Sequence, residues 1–202
     1  AYAGTEKQQI CLSYSYGDGK ESSCENTVNS VQRLFYNIPI NTYFSLDLDG
    51  ISALNDSVGG VDVVSPETIG EFVEGESYHL VGQQAESFVR TRDTSKTDSN
   101  NMRMQRQKVY IQSFMNTVLQ QTKKDLTTPI DLFNASAPYS CTNLNPSKVS
   151  YLAQQAVLGG MNGIDMVSVP GQVAMGSKYA EFNVSEAEFY QLFLSIYYTK
   201  IE

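Results

Sequence analysis

A closely spaced order of short elements in the first third of the chain constrains its fold most strongly. Residues 43–48 have the composition of a β-strand, and a short helical pattern begins at Asp49. The tandem pair Gly59-Gly60 ends that helix, because glycine readily adopts the left-handed backbone found at helix C-termini. A second apolar strand follows at residues 61–64. A strand, a helix and a strand in so short a stretch predict a layered α/β domain.

The remaining elements extend this pattern. Alternating apolar residues predict a strand over 10–16, and apolar residues at helical spacing predict a helix over 25–36. Further helices are predicted at residues 81–89, 101–122, 146–158 and 185–199, a shorter helix or extended piece at residues 126–133, and further strands at residues 166–169 and 173–175. Ser185 and Glu188 have the spacing of a capping box. We therefore expect the α/β class, as a three-layer α/β/α sandwich with a central mixed β-sheet and residues 1–202 in a single domain.

The bulk composition excludes some classes of function. The 202 residues suffice for one ordinary domain, and a net charge of −8 argues against a general nucleic-acid binder, which needs a basic surface. No apolar run approaches the length of a membrane span. The chain starts at Ala1 without an initiator Met, so we expect a boundary there, with any membrane anchor or targeting segment upstream of it.

Arginines are concentrated in one short segment of this acidic chain. Four of the five lie within it: Arg90, Arg92, Arg103 and Arg106. The planar guanidinium offers a fork of donors that matches phosphate oxygens two at a time. The alternative is a surface helix held by salt bridges, since several acidic residues lie nearby in the sequence.

The position of two arginines on the long predicted helix favours an anion site. Arg103, Arg106 and Tyr110 form a stripe along one edge of its apolar face, and Gln107 lies within that face. A polar amide is costly there unless it is hydrogen-bonded. The arginines also fall in the first two turns, where the helix dipole disfavours a cation by roughly 0.3–1 kcal/mol but favours a bound anion. A bound negative group would offset the unfavourable interaction of the two arginines with the helix dipole.

The other two arginines indicate the size of the ligand. Arg90 and Arg92 are two residues apart, so in an extended segment they point the same way and can reach the space of Arg103 and Arg106. Four guanidinium groups exceed what one carboxylate needs, whereas a diphosphate or a longer polyanion would balance them. The sequence therefore predicts a polyanion site.

Other catalytic patterns are missing from the sequence. His79 is its only histidine and no serine lies in a nucleophile-elbow pattern, which disfavours a Ser-His-Asp triad. The sequence has neither a phosphate loop ending in Gly-Lys-Ser/Thr nor a G-x-G-x-x-G motif. Cys11, Cys24 and Cys141 are too few for a metal cluster or a disulfide scaffold, and whether Cys24 pairs with Cys141 stays open.

Two arginine motifs are separated by a polar loop: Phe-Val-Arg-Thr-Arg at residues 88–92 and Arg-Met-Gln-Arg-Gln at residues 103–107. Together they resemble the R-x-R pair and the R-x-x-R-Q signature of the LytR-CpsA-Psr family of bacterial cell-wall enzymes. Residues 55–62, 78–85 and 14–17 are similar to that family's Gly-Gly-Val segment, its lead-in to the arginines and its Ala-Tyr-x-x-Gly segment. The resemblance is strongest over the first 120 residues or so, and the last third of the chain is less diagnostic.

The resemblance implies an α/β/α domain at the extracellular face of the bacterial cytoplasmic membrane, anchored by an N-terminal helix. It implies transfer of glycopolymers of the teichoic-acid or capsular type from polyprenyl-diphosphate lipid carriers to peptidoglycan, assisted by Mg²⁺. With the helix stripe, it gives Arg90, Arg92 and Arg103 as the expected catalytic residues, and Arg106, Gln107 and Tyr110 as the expected substrate-binding residues.

The chain also departs from the family's pattern. Upstream of the Tyr-x-x-Gly segment, family members carry a strand pair with metal-binding aspartates and a further arginine, which this sequence does not contain. We therefore expect N-terminal strands to be missing from the sheet and the Mg²⁺ ligands to lie outside this chain. An exposed sheet edge would then let a second copy pair as a homodimer.

Two alternatives to a transferase stand beside this reading. One is a non-catalytic module that captures lipid-linked or cell-wall polyanions through the same arginines. The other is a DNA-binding transcriptional attenuator, which the net charge of −8 and the lack of a basic recognition helix disfavour.

Overall fold

The described part of the chain forms two compact units. The computed structural model describes residues 2–3, 6–7, 9–93, 95, 99–176 and 180–198. The first unit spans Ala1–Asp165 and the second Met166–Glu202. The first contains several helices and antiparallel strand pairs, and the second contains one antiparallel strand pair and one helix. The expectation of a single domain stays a prediction.

Helices and short strands alternate along the chain. The helices are α1 (Leu12–Ser15), α2 (Glu21–Leu34), α3 (Asp49–Ser57), α4 (Gln83–Arg90), α5 (Ser99–Lys124), α6 (Thr128–Ser136), α7 (Pro146–Leu158) and α8 (Glu186–Tyr197). The strands are β1 (Tyr2–Ala3), β2 (Glu6–Lys7), β3 (Phe44–Leu46), β4 (Val61–Val64), β5 (Ser77–Leu80), β6 (Ser140–Thr142), β7 (Gly171–Met175) and β8 (Ala180–Val184). Among the described helices, none combines the length and the apolar character needed to cross a membrane.

The strands pair as small antiparallel ladders. These are β1 with β2, β3 with β6, β4 with β5 and β7 with β8. The mixed α/β class predicted from the sequence is confirmed, and the sheets in the described residues have two strands each. The predicted long helix is confirmed as α5, and the helix predicted over 146–158 is confirmed as α7.

The core of the first unit forms around the β4–β5 ladder. Val61 pairs with Leu80, and Val61 and Val63 are buried while the residues between and after them are exposed. This alternation follows from the period-two geometry of a strand with one buried face. Helices α4 and α5 supply the other side of the core, where Phe72 and Phe88 meet edge to face with ring centroids 5.0 Å apart. The ladder therefore fixes where α4 ends and α5 begins.

The tandem glycines between α3 and β4 end the helix as predicted. Gly59 and Gly60 have φ angles of +79° and +93°, a region that favours glycine. A Cβ on Gly60 would lie 2.4 Å from His79 Nε2. His79 is held in that place because its Nδ1 lies 2.8 Å from Asp62 Oδ1. Any larger residue at Gly60 would therefore have to displace this contact.

The first predicted strand, over residues 10–16, is wrong, because this segment forms a turn and the single-turn helix α1. Ser13 is buried and its hydroxyl lies 2.6 Å from Ser30 Oγ on α2, whereas Leu12 and Tyr16 are exposed. A strand with its apolar face inward would bury Leu12 and turn Ser13 outward. Packing against α2 therefore overrides the apolar alternation.

Cys24 and Cys141 lie near the β3–β6 ladder. Ser45 pairs with Cys141 across that ladder, and the thiol of Cys24 on α2 lies beside Cys141. Burial raises the pKa of Cys24, and the neighbouring Cys141 raises it further. Cys11, Cys24 and Cys141 are all free thiols in this structure.

The second unit is a hairpin followed by a helix. Gly171 pairs with Val184 at one end of the β7–β8 ladder, and Ser185 then precedes α8. The predicted strand at residues 166–169 is wrong, because this segment has no regular structure and β7 takes β8 as its partner. The capping box is also wrong, since the Ser185 side chain makes no capping hydrogen bond.

Candidate functional site

The site lies where α4 ends and α5 begins. Ala85, Phe88 and Val89 on α4 are buried, so the helix is fixed on the core up to its last turn. Thr91 then leaves the helix in an extended conformation, with φ −54° and ψ 135°. Its hydroxyl donates to the Ser87 carbonyl over 2.7 Å, which secures the exit. The arginine segment that follows therefore emerges from a rigid base.

Three of the four clustered arginines reach solvent. Arg90 is exposed and its Nη1 forms an ion pair with Glu86 on the same helix. Arg92 is exposed and its Nε donates to the hydroxyl of Ser99, the first residue of α5, over 3.0 Å. The guanidinium groups of Arg90 and Arg92 therefore keep further donors for a ligand.

Arg103 is partly buried in the first turns of α5. Its Nη2 donates to Asn100 Oδ1 over 2.8 Å. Its Nε is buried and has no hydrogen-bond partner among the described residues. Ser99 holds Arg92 and the adjacent Asn100 holds Arg103, so two neighbouring residues in the first turn of α5 each bond one of these arginines. A buried donor without an acceptor is uncommon in native proteins and indicates a missing partner.

Arg106 has the opposite surroundings. It is 0% exposed, and each of its three nitrogens is bonded to protein. Nε donates to the Phe88 carbonyl over 2.7 Å, Nη1 contacts the Glu67 carboxylate, and Nη2 contacts the Thr91 carbonyl. Burial lowers the pKa of Arg106, while the ion pair with Glu67 balances its charge. In this conformation a ligand in solvent cannot reach Arg106, so the structure places it beneath the site.

Gln107 and Tyr110 also face inward. Gln107 Nε2 donates to the Val89 carbonyl over 3.2 Å, which provides the hydrogen bond that an amide on an apolar face requires. The Tyr110 hydroxyl donates to Asn55 Oδ1 over 3.2 Å, and Asn55 Nδ2 donates to the Leu80 carbonyl over 2.8 Å. Burial raises the pKa of Tyr110, and the charge of Asp56 adds to this shift. These two predicted substrate-binding residues tie α5 to its neighbours.

An open cavity of about 320 Å³ lies beside Arg92. One side, here called the loop wall, is Thr68, Ile69 and Gly70 from the connection between β4 and β5. The other, here called the arginine wall, is Thr91, Arg92 and Asp93. Sequence reasoning missed the loop wall because its residues carry no charge. The signal that could have found it is the acidic Glu67 in the connection between β4 and β5, each of which contributes residues to the core.

The described residues do not provide a metal site. Within the described ranges, no group of three or more His, Cys, Asp or Glu side chains is placed to hold a metal ion. The carboxylate of Asp93, which lines the cavity, accepts hydrogen bonds from the backbone N–H and the hydroxyl of Ser95. These residues therefore do not fit Mg²⁺ on their own.

The comparison with known families identifies this fold. The sequence profile of the LytR_cpsA_psr family matches residues 2–194. This chain belongs to the LytR-CpsA-Psr family. The match includes both arginine motifs, both walls of the cavity and the core beneath them.

Named relatives within the LytR-CpsA-Psr family are transferases. The polyisoprenyl-teichoic acid–peptidoglycan teichoic acid transferase TagV of Bacillus subtilis is 34% identical over 101 residues, covering 45% of this chain and 24% of TagV. The transferase TagU of Bacillus cereus is 27% identical over 173 residues, covering 82% of this chain and 52% of TagU. The chain thus spans about half of the TagU sequence and a smaller share of TagV.

Solved structures of the family share the fold. The crystal structure of Bacillus subtilis TagV matches with a TM-score of 0.72 at 22% identity, covering 98% of this chain and 77% of that one. A protein from Streptococcus agalactiae matches with a TM-score of 0.75 at 18% identity, covering 94% and 65%. TagT bound to LI-WTA matches with a TM-score of 0.67 at 14% identity, covering 93% and 69%. At these identities the likeness shows the fold alone.

Proposed function

We propose that this chain forms the pyrophosphate-binding part of a transferase that moves glycopolymers from polyprenyl-diphosphate carriers to peptidoglycan. Arg90 and Arg92, which are exposed, and Arg103, which is partly buried, bind the diphosphate beside the cavity. Family membership and the transferase names of TagU and TagV support the reaction class. The surroundings of the arginines support the binding site.

The observation that carries the proposal is the buried Nε of Arg103, which has no hydrogen-bond partner within the part of the chain that the structure describes. Arg103 as a whole is only partly buried, so a ligand can reach its guanidinium group, and an acceptor there would remove the free-energy cost of a donor without a partner. The ligand must be an acceptor, and the adjacent cation at Arg92 favours a negative one. A diphosphate offers charged oxygens on two phosphorus atoms, which suits several guanidinium forks at once.

Helix α5 adds to the attraction. Its 26 residues begin at Ser99, beside Arg92, and its backbone N–H groups at that end lack partners within the helix. The positive end of the helix dipole favours an anion there. Arg103 in the following turn is itself disfavoured by the same dipole. A bound diphosphate interacts favourably with the N-terminus of α5 and with the Arg103 cation.

The arginines supply what phosphoryl transfer chiefly requires. A hydroxyl oxygen of the acceptor forms a new bond to the phosphorus that carries the glycopolymer. The bond from this phosphorus to the bridging oxygen breaks, polyprenyl monophosphate leaves with the bonding electrons, and the acceptor proton passes to solvent or to the leaving phosphate. Negative charge grows on the oxygens during this step, and fixed guanidinium groups stabilise it electrostatically.

The place of action follows from the substrates. Peptidoglycan lies outside the cytoplasmic membrane, so we propose that the protein works at the extracellular face of that membrane, with Mg²⁺ as a further component of the complete site. A homodimer through an exposed strand edge, such as those of the two-stranded ladders, stays a prediction.

Binding of a short prenyl diphosphate tests this proposal. We expect isothermal titration calorimetry to detect saturable binding of farnesyl diphosphate to the wild-type chain. Arg92→Ala should weaken this binding by about tenfold to a hundredfold, the range for loss of a charged hydrogen bond. The matched control is Arg33→Ala on α2, outside both arginine motifs, which should bind as the wild type does. Equal affinity in Arg92→Ala and Arg33→Ala would contradict the assignment of Arg92 to the diphosphate site.

A non-catalytic binding module is the second candidate. The exposed arginines account for capture of a diphosphate whether or not transfer follows, which is the observation that favours it. A transfer assay with the full-length protein separates the two functions. Turnover that Arg92→Ala abolishes supports the transferase, whereas intact diphosphate binding without turnover supports the module.

A further inference from the structure

The buried pair of Glu67 and Arg106 touches both walls of the cavity. Glu67 directly precedes the loop wall, and its carboxylate contacts Arg106 Nη1. Arg106 Nη2 contacts the carbonyl of Thr91, the first residue of the arginine wall. One guanidinium group therefore connects the loop wall to the arginine wall from below.

Both walls are otherwise held by local contacts. On the loop side, the buried Ser65 hydroxyl donates to the Glu67 carbonyl over 2.7 Å. Ile69 and Phe72 exchange two backbone hydrogen bonds of 2.8 and 3.0 Å, and Phe72 packs on Phe88. On the arginine side, the backbone N–H and the hydroxyl of Thr91 both donate to the Ser87 carbonyl, over 3.0 and 2.7 Å. The loop therefore meets the arginine side through two contacts, the packing of Phe72 on Phe88 and the bonds of Arg106, and of these two only Arg106 reaches Thr91 at the cavity.

The chemistry of arginine suits this connection. A guanidinium group directs its donors along several fixed directions in one plane, so it can serve Phe88, Glu67 and Thr91 at once. A lysine ammonium keeps the charge but is a compact point on a flexible stem and cannot span the same three acceptors. Glu67 in turn balances the charge of Arg106 away from water.

We propose that Glu67 and Arg106 are positioning residues that set the separation of the loop wall from the arginine wall, and that this separation selects a diphosphate over a monophosphate. The selection rests on the function proposed above. A diphosphate needs contacts to two phosphate groups at a fixed spacing, so it loses more than a monophosphate does when the walls move apart. Neither residue touches the substrate.

The experiment combines hydrogen exchange with ligand binding. Arg106→Lys keeps the charge and loses the fork, and Glu67→Asp keeps the charge and shortens the reach, so at least one of them is expected to fold. Leu119→Ala is the control, because Leu119 is buried on α5 at 6% exposure, more than three helical turns beyond Arg106, and lies in neither wall. Exchange is followed by mass spectrometry, and affinity is measured for farnesyl diphosphate and farnesyl monophosphate.

We expect Arg106→Lys and Glu67→Asp to speed exchange in both segments, residues 66–76 and 88–93. Their affinity for farnesyl diphosphate should fall by about tenfold, while that for farnesyl monophosphate changes by less than about threefold. Leu119→Ala should leave the exchange of both walls and the ratio of affinities at wild-type values. A merely structural role would lower both affinities together in all three variants.

Opposite results would overturn the inference. Unchanged exchange in both walls overturns the positioning role, and loosened walls with an unchanged affinity ratio overturn the selection. A wild-type chain that binds neither lipid phosphate overturns the proposed function and the selection with it. In that case the exchange data still support or overturn the positioning role by themselves.

Discussion

Arg106 and Arg92 come from the same short stretch of sequence, yet one lies in the interior and the other at the rim of the cavity. Arg106 has no exposed surface and is bonded to Glu67 and to two backbone carbonyls. Arg92 is exposed and bonds one hydroxyl, that of Ser99. Clustering of arginines therefore identifies a site, while burial distinguishes the residues that shape it from those that can contact a ligand.

Removing the charge of Glu67 should have the largest effect on stability. Glu67→Gln leaves the Arg106 cation buried without a counter-charge, and breaking such a pair typically costs about 3–5 kcal/mol. Urea unfolding followed by circular dichroism measures the free energy of unfolding. A loss below about 1 kcal/mol would show that water reaches Arg106, and the contrast between interior and rim would then fail.

Removing an arginine at the rim should affect binding more than folding. Arg103→Ala removes the unpartnered donor and leaves the Glu67–Arg106 pair intact. We expect its affinity for farnesyl diphosphate to fall by about tenfold to a hundredfold. Calorimetry measures the affinity, and urea unfolding of the same sample reports stability. If Arg103→Ala lowered the free energy of unfolding as much as Glu67→Gln does, Arg103 would belong with the buried residues such as Arg106.

High pH should destabilise the interior through Tyr110. The pKa of its phenol is raised above the ordinary value of 10.0 by burial and by Asp56. Below pH 10 the phenol is protonated in both the folded and the unfolded state. Above pH 10 the unfolded phenol ionises first, so the free energy of unfolding should fall by about 1.4 kcal/mol per pH unit.

The control for this pH dependence is a pair of phenylalanine variants. Tyr110→Phe should remove this contribution, whereas Tyr151→Phe, at a tyrosine that is 61% exposed, should keep the wild-type slope. The comparison is made by urea unfolding between pH 8 and about pH 11. Equal slopes in both variants would show that Tyr110 ionises as freely in the folded protein as in the unfolded one.

The ion pair at the rim should have the smallest effect. Glu86→Gln removes the partner of Arg90, whose side chain is 53% exposed. Exposed pairs of this kind contribute between nothing and about 1 kcal/mol, so we expect a change in stability within that range. Diphosphate affinity should stay the same or rise slightly, because Arg90 loses a competing carboxylate. A large loss of stability would contradict the assignment of this pair to the surface.

The sequence predicted those parts of the fold that local chemistry decides. Gly59-Gly60 ends a helix because its backbone requires positive φ angles. The extent of α5 was predicted closely, but Met104, Ile111 and Met115 of its predicted apolar face are exposed. Residues 10–16 were predicted wrongly because a buried contact between Ser13 and Ser30 outweighs an apolar alternation. That contact joins residues 17 positions apart in the sequence, and no local sequence pattern predicts it.

The sequence showed which arginines cluster, but not which of them are buried. The two motifs place four arginines along the chain, but helical spacing cannot tell which of them points into the core. The partner of Arg106 is Glu67, which lies 39 residues away and belongs to a connection without a pattern of its own. For the same reason, the loop wall is visible only once β4 and β5 are paired.

One titration tests the central claim that the exposed arginines bind a diphosphate. Wild-type chain and the triple variant Arg90→Ala, Arg92→Ala, Arg103→Ala are each titrated calorimetrically with farnesyl diphosphate. We predict saturable binding by the wild type and none by the triple variant. Arg106 should stay buried in the triple variant, and its free energy of unfolding should fall by no more than about 1 kcal/mol. A triple variant that binds farnesyl diphosphate with wild-type affinity would contradict this claim.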